Sequence, residues 1–116
     1  YGAVFSNFLT QKKKKIPLTI VGNGKQTRDF IHVDDLTNAF IKLARSNLRN
    51  EIYNLGSGKE TSINKIADII GGKKIFIPKR PGDPNRSCAN ISKIKKDIKW
   101  KPRISIIDGI ERLFQS

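Results

Sequence analysis

The chain has 116 residues, of which 37% are hydrophobic and 28% charged, so it has globular composition and excludes a disordered or low-complexity polymer. Its formal net charge of +13 is large for this length and raises nucleic acid, an anionic membrane or a phosphorylated small molecule as partners. No apolar run approaches the roughly 18 residues needed to span a bilayer, and the single cysteine, Cys88, excludes an intrachain disulfide or a multi-thiolate metal site.

Phe5, Phe8 and Leu9 share one helical face, Lys12 to Lys15 suit the C-terminal end of that helix, and Pro17 stops it. Leu18 to Val21 reads as a strand and Gly22-Asn23-Gly24 as a turn. Phe30, Ile31 and Val33 suggest a second extended segment, followed by an N-cap at Asp34 or Asp35 and a helix over 35–46. Glu51 to Leu55 reads as a strand ended by Gly56-Ser57-Gly58. Thr61 or Ser62 caps a helix with Ile63, Ile66, Ala67 and Ile70 on its apolar face, and Gly71-Gly72 closes it. Lys74 to Pro78 is another short strand, and 79–87 is loop. Ser92 caps a helix through Ile98, Trp100-Lys101-Pro102 breaks it, and Ser105 caps a last helix. The expected fold is a small mixed α/β layer of short, scattered strands, without a complete doubly wound sheet.

Two glycine turns resemble phosphate loops. Neither Gly22-Asn23-Gly24-Lys25 nor Gly56-Ser57-Gly58-Lys59 has the spacing of a Walker A loop, and neither completes the dinucleotide fingerprint, because positions 27 and 61 are Thr. Turn and helix entry are the better readings. His32 is the only histidine, so no zinc site or catalytic triad is expected. Aromatics are 8% and do not interleave with the basic residues. A standalone nucleic-acid-binding module therefore remains as an alternative resting on charge alone, and much of that charge fits a Lys-, Ile- and Asn-rich coding bias.

The run Leu18-Thr19-Ile20-Val21-Gly22-Asn23-Gly24-Lys25-Gln26-Thr27-Arg28-Asp29-Phe30-Ile31-His32-Val33-Asp34-Asp35 carries more information. With Tyr53-Asn54-Leu55-Gly56-Ser57-Gly58, Arg80-Pro81-Gly82-Asp83, Ile91-Ser92-Lys93 and Trp100-Lys101-Pro102, it resembles the extended short-chain dehydrogenase/reductases of the NAD-dependent sugar-nucleotide epimerase/dehydratase type. The resemblance spans essentially the whole chain, in order. Asn90 and Ser87 depart from the family pattern, the latter where some 4-epimerases carry an aromatic residue.

The resemblance implies a C-terminal nucleotide-sugar-binding domain over 1–116, lacking the Rossmann core and forming one wall of the substrate cleft. It implies that Arg28 and Arg80 grip the diphosphate, that Asp83 lies near the nucleotide sugar or orients the arginine, and that Thr19, Val21 and Gln26 contact the nucleotide. Two guanidinium forks suit phosphate oxygens in a way that lysine does not. It also implies a UDP-sugar substrate, a homodimeric parent and an NAD bound by a missing N-terminal domain; the lone Cys88 fits a cytoplasmic location, and neither a nucleic-acid nor a membrane partner is expected. Tyr1 has Phe5 four positions on and Tyr53 has Ser57, so no Tyr-x-x-x-Lys pair is present. With no methionine in the chain, the expectation is a fragment inactive alone, with catalytic and cofactor residues elsewhere in its parent.

Overall fold

A computed structural model describes residues 2–79, 81–82 and 85–115. Among these the order is α1 (Gly2–Lys13), β1 (Leu18–Val21), β2 (Thr27–Arg28), α2 (Val33–Arg45), β3 (Thr61–Ser62), α3 (Ile63–Ile70), β4 (Lys74–Ile77), α4 (Ser92–Ile98) and α5 (Ile106–Gln115). The strands form two separate pairs. β1 and β4 run parallel, with Leu18 opposite Lys74 and Val21 opposite Ile77. β2 and β3 run antiparallel, with Thr27 opposite Ser62. The expected mixed α/β layer is what the chain adopts.

Alternation along β1 decides its packing. Leu18 and Ile20 are buried while Thr19 and Val21 are half-buried on the other face. The two inward residues meet Phe8 of α1, Ile63, Ile66 and Ala67 of α3, and Ile110 of α5. Each of the Leu, Ile and Phe side chains stabilises the fold by about 1.5–3 kcal/mol on full burial. A second cluster joins Ala39 of α2 to Ile91, Ile94 and Trp100.

The predicted caps hold at two helices. Ser62 Oγ accepts the Lys65 amide at 3.0 Å, and Ser105 Oγ accepts the Asp108 amide at 3.1 Å. Two others need correction. His32, not Asp34 or Asp35, is the N-cap of α2, its Nδ1 accepting the Asp34 amide at 3.0 Å, so Val33 is helical rather than extended. The expected cap Ser92 is instead the first residue of α4, and its amide donates to Asn90 Oδ1 at 3.1 Å.

Asp35 is released from capping for another task. It is 4% exposed, and its carboxylate accepts the amides of Arg103 and Ile104 at 3.1 and 2.9 Å. Its carbonyl accepts the Trp100 indole N–H at 3.1 Å. A buried charge is tolerable here because main-chain donors replace its water. These bonds seat the 100–104 segment on the first turn of α2.

The expected strand over 51–55 is not formed among the described residues. The segment has no ladder partner, and Ile52 is 85% exposed. Its apolar, extended pattern suits a strand, but strand geometry needs a neighbour to bond to. The molecule is also a thin slab of 49 × 34 × 16 Å. Its radius of gyration is 16.1 Å, against about 13 Å for a compact chain of this length. Val33, Phe40 and Ile41 near or on α2, and Ile75 and Phe76 on β4, stand in solvent, a surface of the kind that packs against further protein.

Replacing Asp35 with Ala strands two buried amides. The expected result is a loss of about 2–3 kcal/mol of stability, measured by urea unfolding, with Asp34→Ala changing it by less than about 0.5 kcal/mol.

Candidate functional site

The most densely bonded side chain lies within the Arg28-Asp29-Phe30 run. Asp29 Oδ1 accepts the Ser57 amide and hydroxyl, both at 2.7 Å, and Oδ2 accepts the amides of Gly58 at 3.0 Å and Ala89 at 3.1 Å. One carboxylate therefore ties the segment after β2 to the glycine turn at 56–58 and to the chain entering α4. The donors come from 28 and 60 positions away, so no local pattern announces this role, and the sequence reading assigned Asp29 none.

That saturation matters for Arg28. Asp29 has its lone pairs engaged by N–H and O–H donors, Asp35 is held by the 103–104 amides, and Asp34 faces Arg112 at 3.7 Å. Arg28 Nη1 donates to the Thr27 carbonyl at 2.7 Å, and the guanidinium has no acidic partner among the described residues. A half-buried cation with one main-chain bond retains donors and charge for an external anion.

Thr27, its neighbour, is fastened on two sides. Its amide donates to the Asn85 carbonyl at 2.9 Å and its hydroxyl to Glu60 Oε1 at 2.8 Å. Glu60 in turn accepts both prongs of Arg86, Nε at 2.7 Å and Nη2 at 2.6 Å. The Arg86 and Thr27 hydrogen bonds hold the Glu60 carboxyl at about 2, well below the usual carboxylate range. Neither Glu60 nor Arg86 was a sequence candidate, because the pair spans 26 positions without a motif.

The other expected substrate residues are dispersed. Gln26 Nε2 donates to the Val21 carbonyl at 2.9 Å, which closes the turn between β1 and β2. Thr19 is bonded to α1 through Gln11: its amide donates to Oε1 at 3.1 Å and its hydroxyl accepts from Nε2 at 3.0 Å. An open polar cavity of about 490 Å³ brings Gln26 together with Gly22, Asn23, Lys25, Lys79 and Asn85. Its lining carries two lysines and no acid. Arg80 and Asp83 lie outside the described residues.

A second cavity, of about 340 Å³, is apolar and lined by Phe5, Phe30, His32, Ile106, Ile110 and Leu113 among others. None of the expected substrate residues borders it, and its one cation, Arg112, faces Asp34. A diphosphate needs donors and uncompensated charge, so of these two cavities the polar one suits an anion better, though Arg28 does not line it; a further polar cavity of about 790 Å³ carries Lys59, Lys95 and Lys96.

One glycine in each turn is packed tightly against side chains. A Cβ at Gly24 would meet the Asn64 side chain, and one at Gly56 would stand 2.7 Å from both Ala89 Cβ and Asp29 Oδ2. Close packing by the chain's own atoms explains these two glycines. Tyr53 is equally unsuited to act as a base. Burial and a 2.8 Å hydrogen bond to Asp97 Oδ2 push its phenol up to about 12, the opposite of what a catalytic tyrosinate requires. Among the described residues no group of His, Cys, Asp and Glu is arranged to hold a metal, and no helix is long and apolar enough to cross a membrane.

The comparisons agree with the motif resemblance. A family model for NAD dependent epimerase/dehydratase proteins matches residues 1–56. A Methanocaldococcus jannaschii protein provisionally named UDP-glucose 4-epimerase is 39% identical over 95% of this chain and 37% of its own length. UDP-glucuronic acid decarboxylase 1 of Arabidopsis thaliana is 33% identical over 97% of this chain and 27% of its own. Residues 1–56 thus match the NAD-dependent epimerase/dehydratase family, and similarity to individual relatives runs along 95–97% of the chain. Among solved structures, the Bacillus cereus UDP-glucuronic acid 4-epimerase in complex with UDP-glucuronic acid and NAD superposes with a TM-score of 0.89 at 29% identity. That match covers 97% of this chain and 38% of the other. The chain thus spans well under half the length of these family members.

Two outcomes follow from the site. Depression of Glu60 means that the folded state binds its proton less tightly than the unfolded chain. Its contribution to stability is complete above pH 4.5 and is lost as pH falls from there through about 2. Acid unfolding of Glu60→Gln should show a shallower fall across that window than the unsubstituted protein. Tyr53 should titrate near 12 in a tyrosine-resolved NMR experiment, and Asp97→Asn should bring it part of the way back toward 10.

Proposed function

We propose that residues 1–116 form the substrate-gripping part of an NAD-dependent nucleotide-sugar epimerase, decarboxylase or dehydratase, with Arg28 as a diphosphate ligand. The observation that carries this reading is Arg28 itself. It sits in the family's Arg-Asp-Phe run, its guanidinium bonded to the Thr27 carbonyl and without an acidic partner among the described residues, while the adjacent Asp29 is committed to other donors. Its free prongs supply charge-assisted hydrogen bonds that a diphosphate accepts in pairs. The solved relative from Bacillus cereus holds UDP-glucuronic acid and one from Thermotoga maritima holds UDP-glucose, which favours a UDP-sugar here.

The same reading assigns NAD and the proton-transferring tyrosine to protein outside this chain. The tightly packed Gly24 and Gly56, the raised Tyr53 phenol and the missing Tyr-x-x-x-Lys pair support that division. NAD supplies hydride chemistry to such enzymes when bound. This chain's residues bind and orient the substrate beside it. The apolar surface around α2, the unpaired 51–55 segment and the slab shape fit a wall that closes against a larger partner domain.

Calorimetric titration of the full-length protein with UDP tests the assignment. Arg28→Ala should weaken binding roughly tenfold to a hundredfold, and Arg28→Lys should recover only part of it because the fork is lost. Unchanged UDP affinity in Arg28→Ala removes the reading. Residues 1–116 alone should show no epimerase or decarboxylase turnover. Tight, steeply salt-dependent binding of an oligonucleotide with no response to UDP would favour nucleic acid instead.

A further inference from the structure

The Glu60–Arg86 pair has a geometry that its exposure does not explain. The Arg86 side chain is 78% exposed, yet both prongs meet one carboxylate at 2.6 and 2.7 Å. Exposed ion pairs contribute little to stability, whereas a two-pronged pair fixes orientation. What it orients is visible in the neighbouring bonds. Glu60 Oε1 also accepts the Thr27 hydroxyl at 2.8 Å, and Thr27 is the residue before Arg28. The Thr27 amide donates to the Asn85 carbonyl, next in sequence to Arg86, and Asn85 Oδ1 accepts Lys79 Nζ at 2.6 Å. β2 and the loop residues Asn85 and Arg86 are therefore joined by a closed set of contacts with Glu60 at its centre, and Lys79 is tied to that set through Asn85.

We infer that Glu60 is a positioning residue for anion binding: by clamping Arg86 and Thr27 together, it sets where the loop cation Lys79 stands relative to Arg28. This rests on the diphosphate reading of Arg28. Glu60 does not touch the ligand, since an anion facing a diphosphate would repel it. Its effect passes through Thr27 to the backbone of Arg28 and through Arg86 to the loop. Both Lys79 and Asn85 line the polar cavity beside Gln26, so displacement of the loop changes that cavity directly.

The test uses the full-length protein with UDP as the probe, and NAD as a second ligand whose binding the clamp does not serve. Glu60→Gln should weaken UDP about tenfold while NAD affinity stays within twofold. Arg86→Lys, which keeps the charge and loses the fork, should weaken UDP comparably. The exchange Glu60→Arg with Arg86→Glu rebuilds a two-pronged pair and should return UDP affinity to within about threefold of the starting protein. General misfolding would depress UDP and NAD binding together and would not be rescued by the exchange, so that pattern overturns the inference. UDP binding as tight as, or tighter than, the starting protein in Glu60→Gln, with Arg28→Ala weakened, also overturns it and leaves the diphosphate reading standing. If Arg28→Ala binds UDP normally, the diphosphate reading fails and the inference fails with it.

Discussion

The arrangement depends on one carboxylate. Asp29 holds the 56–58 turn and the 89–91 approach to α4 with four donors. Because those bonds go to main-chain amides and a hydroxyl rather than to a cation, the negative charge is spread over neutral dipoles. Arg28, its sequence neighbour, therefore keeps its full positive charge. Had Asp29 paired with Arg28, the run would hold a neutralised ion pair. Adjacent residues on an extended segment point to opposite sides, which lets one serve the scaffold and the other face outward.

Asp35 repeats the device one turn of chain later. Its carboxylate holds Arg103 and Ile104, and its carbonyl holds the Trp100 indole. The two acids together pin three distant segments onto the short stretch 29–35. That stretch is thus the junction between the two hydrophobic clusters, Phe30 packing on one and Ile31 on the other. A 16 Å slab with small cores can hold its loops in register this way, because buried polar bonds specify geometry where apolar area is limited.

Local patterns carried most of the element order. Phe8, Leu18, Ile20, Ile63 and Ile66 were legible as core because their spacing matches helix or strand periods. The hydroxyl caps at Ser62 and Ser105 were legible because a cap acts within three residues. The failures share one cause. The α2 cap, the strand at 51–55, and the roles of Asp29, Asp35 and Glu60 are decided by partners far along the chain or absent from it. An acid at position 34 or 35 looks like a cap until a tertiary amide claims it, and His32 then fills the vacated role. The 51–55 segment has the right composition for a strand and no neighbour here to bond with.

The same logic separates what this chain contributes from what its family does. A gripping surface needs fixed cations, and here the fixing is tertiary: Asp29 beside Arg28 binds the 57–58 and 89 amides, and Glu60 ties Thr27 to Arg86. Hydride and proton transfer need a dinucleotide cradle and a phenol poised to ionise. Here the glycine turns are packed with Asn64, Ala89 and Asp29, and the one described tyrosine is driven the wrong way by burial and Asp97. The exposed apolar residues of α2 and β4 form a surface of the kind that packs against further protein.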